Sequence, residues 1–187
     1  MTALLEVPAI RQCVSPLSVE EYHQLGEFNE RGRRTELVRG IVIEKMSKSP
    51  LHRFITDALR DLIAAQLTEG LVIFSQDPMT TPDSEPEPDV MVVRGSREDF
   101  RAAHPTTAEL VIEVAVSSIE LDRAKAQIYA EAGVKEYWIV RPQEKQVEVY
   151  RHPEATGYGE RTTVPRQSVI ESAALPGLRV DLGTLFA

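Results

Sequence analysis

The sequence predicts an α/β or α+β domain, a central mixed β-sheet flanked by helices. Three observations carry that expectation. Two stretches with apolar residues at helical spacing, residues 50–68 and 117–133, are separated by apolar runs of strand length. One such run, ELVIEVAV at 109–116, is apolar on both alternating faces apart from one residue, so it belongs mid-sheet, covered on both sides. A length of 187 residues, 42% hydrophobic and 27% charged, suffices for one domain that buries its own core.

In chain order, residues 1–17 read as an N-terminal extension and 18–187 as a single domain. PLSVEEYHQLGEFNER (16–31) suggests a short helix, with Ser18 as N-cap and Glu21 completing a capping box. ELVRGIVIEK (36–45) reads as two strands joined at Arg39-Gly40, where glycine accepts a positive φ. Ser49 caps the longest helix and Pro50 opens it, because a missing N–H is harmless in the first turn. Leu51, Ile55, Leu59, Leu62, Ile63 and Gln66 follow at helical spacing, and Gly70 ends the run. LVIFS (71–75) is a short strand, whereas QDPMTTPDSEPEP (76–88) is too polar for a core and reads as a loop. The strand VMVV (90–93), a charged connection over 94–107 and ELVIEVAV come next. Ser117 with Glu120 forms a second capping-box signature, opening a helix to about Gly133. EYWIV (136–140) and QVEVY (146–150) close the core, QVEVY as an exposed edge strand, and LPGLRVDL packs on the rim. There is no internal repeat and no low-complexity tract.

Composition narrows the class. A lone cysteine, Cys13, excludes an internal disulfide framework and a cysteine zinc cage, and it fits a reducing, cytoplasmic setting. The start, MTALLEVPAIRQC, lacks a basic leader and a small-residue cleavage site, and no stretch approaches the roughly 20 apolar residues of a membrane helix. Net charge of −8 argues against indiscriminate binding to a phosphate backbone. Yet Arg31, Arg33, Arg34, Arg39, Lys45, Lys48 and Arg53 face only Glu36 and Glu44 within 31–53, which permits a local anion-binding face or, more simply, a solvated one.

Three polar residues interrupt apolar patterns. Asp89 stands at the threshold of a buried strand. Glu113 shares one face of its strand with Val111 and Ala115, and a buried carboxylate must be protonated, paired or bound to a cation. Lys125 fills the i+4 slot of the stripe Leu121, Ile128, Ala132, where it is either buried or at the border with its head in water. Taken singly, each has a bland explanation, as does His52 in the first turn of the long helix. Taken together, two carboxylates on adjacent strands make a hard, oxygen-rich site suited to magnesium or manganese. A neighbouring ammonium orients water and offsets charge in phosphodiester cleavage. Zinc spacing, a glycine-rich phosphate loop and a G-x-S-x-G elbow are all absent.

The ordered series E-L-V-R-G, S-P-L-H-R, E-P-D-V, L-V-I-E-V, D-R-A-K-x-x-x-Y and G-V-K-E-Y-W-I-V resembles the Uma family of restriction endonucleases, within the PD-(D/E)XK nuclease superfamily. It covers roughly residues 18–186. The resemblance implies a restriction-endonuclease-like fold and a metal-dependent endonuclease that hydrolyses phosphodiester bonds in DNA. Asp89 and Glu113 would be the metal-binding acids for magnesium or manganese. The superfamily lysine two residues after the second acid is Ala115 here, and its displaced counterpart is Lys125. Glu36 matches the family's early acid, as an added metal-shell group, and His52 its helix-borne histidine, orienting water or contacting phosphate. Asp122, one turn before Lys125, would fix the lysine head, and Tyr129, one turn after, reads as packing. The loop after Glu113 reads A-V-S-S-I where small and proline residues are usual, and V-R-P replaces Val-Asp-Pro after the tryptophan strand. Neither change removes an acid, lysine or histidine of the site. The resemblance and the QVEVY edge point to a homodimer. Two other functions stay open. One is a catalytically silent binding or assembly protein on a nuclease fold. The other is a metal phosphodiesterase acting on RNA or nucleotides.

Overall fold

The computed structural model describes residues 8–27, 34–45 and 48–187. The chain forms two compact units, residues 1–45 with 82–85, and residues 46–81 with 86–187.

The first unit holds two helices, α1 (Pro8–Arg11) and α2 (Val19–Glu27), and an antiparallel pair, β1 (Thr35–Val38) and β2 (Ile41–Glu44). The Ser18/Glu21 capping box forms, with Glu21 N–H donating to Ser18 Oγ at 3.2 Å and Ser18 N–H to Glu21 Oε2 at 2.8 Å. Arg39 and Gly40 both take positive φ, 52° and 73°, the signature of a type I′ hairpin. A Cβ at position 40 would collide with the Pro16 ring, so only glycine fits. Residues 28–31 of the expected first helix, together with Arg31 and Arg33, lie outside the described residues.

The second unit is built on a six-stranded sheet in the order β3-β4-β5-β6-β7-β8. Its strands are β3 (Leu71–Phe74), β4 (Val90–Arg94), β5 (Leu110–Val114), β6 (Glu136–Arg141), β7 (Gln146–Glu154) and β8 (Gly157–Pro165). All neighbours are antiparallel except β5 and β6, which run parallel across the helix α4 (Ile119–Glu131). The mixed α+β architecture is therefore as expected, and every residue of β5 is buried.

Helix α3 (Pro50–Ala64) covers one face. Its Ile55, Leu59 and Ile63 join Val90, Val92, Leu110, Ile112, Val114 and Trp138 in one core cluster. Ser49 Oγ accepts the His52 N–H and Pro50 sits in the first turn. Ser49→Ala is expected to cost about 1 kcal/mol, read as a lowered urea midpoint with unchanged slope. The helix stops before the expected 68. Its last turn tightens into i→i−3 bonds, Gln66 N–H to Ile63 and Leu67 N–H to Ala64, and the Gln66 amide reaches the Arg179 backbone. The opposite face is covered by α4, where Ala126 and Tyr129 pack with Met91, Val93, Val111, Tyr137 and Ile139.

Four expectations are corrected. QVEVY is no edge: β7 is paired on both sides, by β6 and β8. The strand that shields it, GYGERTTVP, is polar enough to hide its register in the sequence. The C-terminal segment is core rather than rim, because β9 (Val169–Glu171), β10 (Arg179–Asp181), α5 (Leu182–Leu185) and the residues that link and follow them contribute Ile170, Leu175, Leu178, Val180, Leu182, Leu185 and Phe186 to the α3-side cluster. The helix starts one residue later than a Ser117/Glu120 capping box requires. Ser118 takes the N-cap position, its hydroxyl donates to Asp122, and Glu120 pairs with Arg123. Finally, residues 76–88 are irregular but largely buried, Met79 and Ser84 completely so. Their polar backbone is satisfied in place, with Gln76 N–H on Pro88, Met79 N–H on Pro86 and Glu85 N–H on Leu37. Among the described residues, no helix is long and apolar enough to cross a membrane.

Candidate active site

The period-two geometry of β5 turns Glu113 toward α4, on the face of Val111 and Ala115. The antiparallel pairing of Val90 with Ile112 sets Asp89, the residue before β4, beside Glu113. Asp89 N–H donates to Glu113 Oε2 at 3.3 Å, and Val114 N–H donates to Asp89 Oδ2 at 2.9 Å. Two acids 24 positions apart are thus tied side by side at one strand end, each accepting a different backbone N–H.

The first turn of α3 adds His52, whose Nε2 lies 3.0 Å from Asp89 Oδ2. Its Nδ1 faces the Thr56 hydroxyl at 3.5 Å. From α4, Lys125 Nζ donates to Glu113 Oε1 at 3.1 Å, and Lys125 is only 3% exposed. Its head is buried rather than reaching for water. Tyr129, one turn on, donates its hydroxyl to the same oxygen at 2.9 Å. Its aromatic ring sits in an apolar stripe and reads as packing; only the structure reveals the hydroxyl's partner.

Asp122 is buried on the same helix face. Its carboxylate accepts from Ser118, and its backbone carbonyl accepts from the Tyr137 hydroxyl at 2.9 Å. Burial, then the charge of Glu113 and a smaller push from Asp89, raise its pKa to about 7, with Lys125 and the Ser118 hydroxyl opposing. Burial likewise holds Tyr137 well above the ordinary tyrosine range. The raised acid has a consequence for stability. Between its unfolded value near 3.8 and about 7, Asp122 keeps its proton when folded and loses it when unfolded. Rising pH therefore favours unfolding across that window, and the contribution is fully present only below it. In the metal-free protein, Asp122→Asn is expected to gain stability over wild type as pH rises from 4 to 7. The gain then stays flat, reaching at most about 4 kcal/mol. Urea unfolding in chelator at a series of pH values measures it.

Glu36 lies on β1 in the first unit, buried, with Lys45 Nζ 3.9 Å from its carboxylate. Among the described basic residues of 31–53, Arg39 pairs with Asp83 at 2.9 Å and Arg53 with Asp57 at 3.6 Å. Among the described residues no three His, Cys, Asp or Glu side chains converge as a metal cage. Asp89 and Glu113 remain as a pair of oxygen donors.

The mixed sheet brings two acids to one strand end, faced by a helix-borne lysine. The chain belongs to the Uma2 family, described as "Putative restriction endonuclease", whose model matches residues 19–183. Among solved structures it is similar to "a putative nuclease belonging to DUF820" from Anabaena variabilis ATCC 29413, at 19% identity and a TM-score of 0.76, covering 91% of this chain and 98% of that one. At that identity the likeness is one of fold. No curated protein matches the chain.

Proposed function

We propose that the protein is a magnesium- or manganese-dependent endonuclease that hydrolyses phosphodiester bonds in DNA. One observation carries the reading: Asp89, through its backbone N–H, and Lys125, through its ammonium, both reach the Glu113 carboxylate, although the three lie far apart along the chain. Hard oxygen donors suit magnesium, which commonly keeps several waters and takes only one or two carboxylates besides substrate phosphate.

A divalent ion held by Asp89 and Glu113 would acidify a bound water and neutralise charge on the phosphate. The chain's own groups do the rest. Lys125, anchored by Glu113, offsets the negative charge that builds on the phosphoryl oxygens. His52 and the Val114 N–H grip Asp89 Oδ2 from two sides and fix the plane of that carboxylate. Burial of both acids lowers the local dielectric and strengthens each of these interactions. Glu36, assigned by resemblance as a further acid, stays a proposal that Glu36→Gln tests. A cytoplasmic homodimer, supported by the resemblance alone because QVEVY is an interior strand, completes the proposal, and light scattering reads its mass.

A net charge of −8 and the pairing of Arg39 and Arg53 favour a second reading, a catalytically silent binding or assembly protein, and a phosphodiesterase for RNA or nucleotides is the remaining alternative. Supercoiled plasmids of varied sequence, RNA and nucleotide diesters, incubated with magnesium or manganese, separate them. The first reading expects plasmid nicking by wild type and none by Asp89→Asn. Inertness toward every DNA with both metals contradicts it.

A further inference from the structure

We propose that Tyr129 is a positioning residue of this site. Its hydroxyl holds Glu113 Oε1 on the helix side and so presents Oε2 toward Asp89. The inference rests on the metal-site reading above.

Tyr129 is completely buried, in surroundings a phenylalanine would fill equally well. Its hydroxyl nevertheless donates to Glu113 Oε1 at 2.9 Å, the oxygen that Lys125 Nζ also reaches at 3.1 Å. Oε2 is the oxygen on the Asp89 side, accepting that residue's N–H at 3.3 Å. The last torsion of a glutamate is broad and roughly two-fold, so one donor on one oxygen does not set the plane of the carboxylate. Two donors a helical turn apart, arriving on the same oxygen, set both the plane and the identity of the outward oxygen.

The tyrosine is itself held. Its ring packs on Tyr137 at 4.9 Å between centroids, and the Tyr137 hydroxyl is tied to the Asp122 carbonyl. Asp122, Lys125 and Tyr129 follow one another at i, i+3 and i+7, which puts all three on the face of α4 turned to Glu113. Groups that orient a metal ligand from behind typically change affinity or activity 10–100-fold when removed.

Tyr129→Phe keeps the ring and deletes only the hydroxyl. Tyr158→Phe is the control, because that hydroxyl donates to the Val134 carbonyl at 2.8 Å rather than to Glu113. Manganese is titrated calorimetrically into metal-free wild type, both tyrosine variants and Glu113→Gln, with thermal melts alongside. The inference expects Tyr129→Phe to bind manganese roughly tenfold more weakly than wild type, with Tyr158→Phe unchanged and the two melts alike. Wild-type affinity in Tyr129→Phe, with binding lost in Glu113→Gln, makes Tyr129 a packing residue and leaves the metal reading intact. Wild-type affinity in Glu113→Gln overturns the metal reading and this inference with it.

Discussion

Glu113→Ala is expected to destabilise the metal-free protein by about 3–5 kcal/mol, and Glu113→Ala with Lys125→Met to recover most of that loss. Lys125 is 3% exposed and its ammonium rests on Glu113 Oε1. Deleting the carboxylate takes the hydrogen-bonded counter-charge from a buried ammonium, which is worse than deleting both charges. Replacing a buried pair with apolar groups of similar volume is often neutral. Here the double variant should still fall short of wild type by about 1–2 kcal/mol, because the Tyr129 hydroxyl also loses its acceptor. Urea unfolding in chelator gives all three values. Equal losses in the single and double variants would mean that Lys125 is not held by Glu113.

The second large effect is on chemistry. Asp89→Asn and Glu113→Gln keep size and shape, but each exchanges an anion for an amide. Metal assistance supplies several kcal/mol of transition-state stabilisation, and each 1.36 kcal/mol is a factor of ten. Each variant should therefore lower magnesium-dependent plasmid nicking at least about 10³-fold. Lys125→Met should lower it less, about 10²-fold, since it removes one electrostatic partner and leaves the donor pair. A residual rate in Asp89→Asn within tenfold of wild type contradicts a metal held at that position.

The parts of the site legible in the sequence were the ones that broke a pattern. Asp89 before an apolar strand, Glu113 within one and Lys125 in a helical stripe each stand out because an unpaired buried charge is expensive. Turns and caps were legible for a different reason. Arg39-Gly40 and Ser49-Pro50 act through local backbone geometry, which a few adjacent residues determine.

What stayed hidden depends on partners distant in sequence. Tyr129 breaks no pattern, so nothing in the helix distinguishes a packing ring from a hydroxyl donor 16 positions from its acceptor. The grip of His52 on Asp89 spans 37 positions. Strand β8 has little hydrophobic alternation because it lies at the sheet edge with much of its length exposed, and without it QVEVY looked like the edge. The C-terminal Leu175, Leu178 and Leu182 read as rim because their packing partners on α3 and the sheet lie far back in the chain. Ser117 and Glu120 matched a capping box that tertiary context overrode, since Ser118 caps one residue later and serves Asp122 instead.

The central claim is that Asp89 and Glu113 together hold a divalent cation. Diffraction from crystals soaked in manganese, collected at a wavelength where manganese scatters anomalously, tests it most directly. The account predicts one anomalous peak between the two carboxylates, about 2.0–2.3 Å from an oxygen of each, with Lys125 and Tyr129 still on Glu113 Oε1. Well-ordered carboxylates with no peak between them, or a peak held by other side chains, would contradict it.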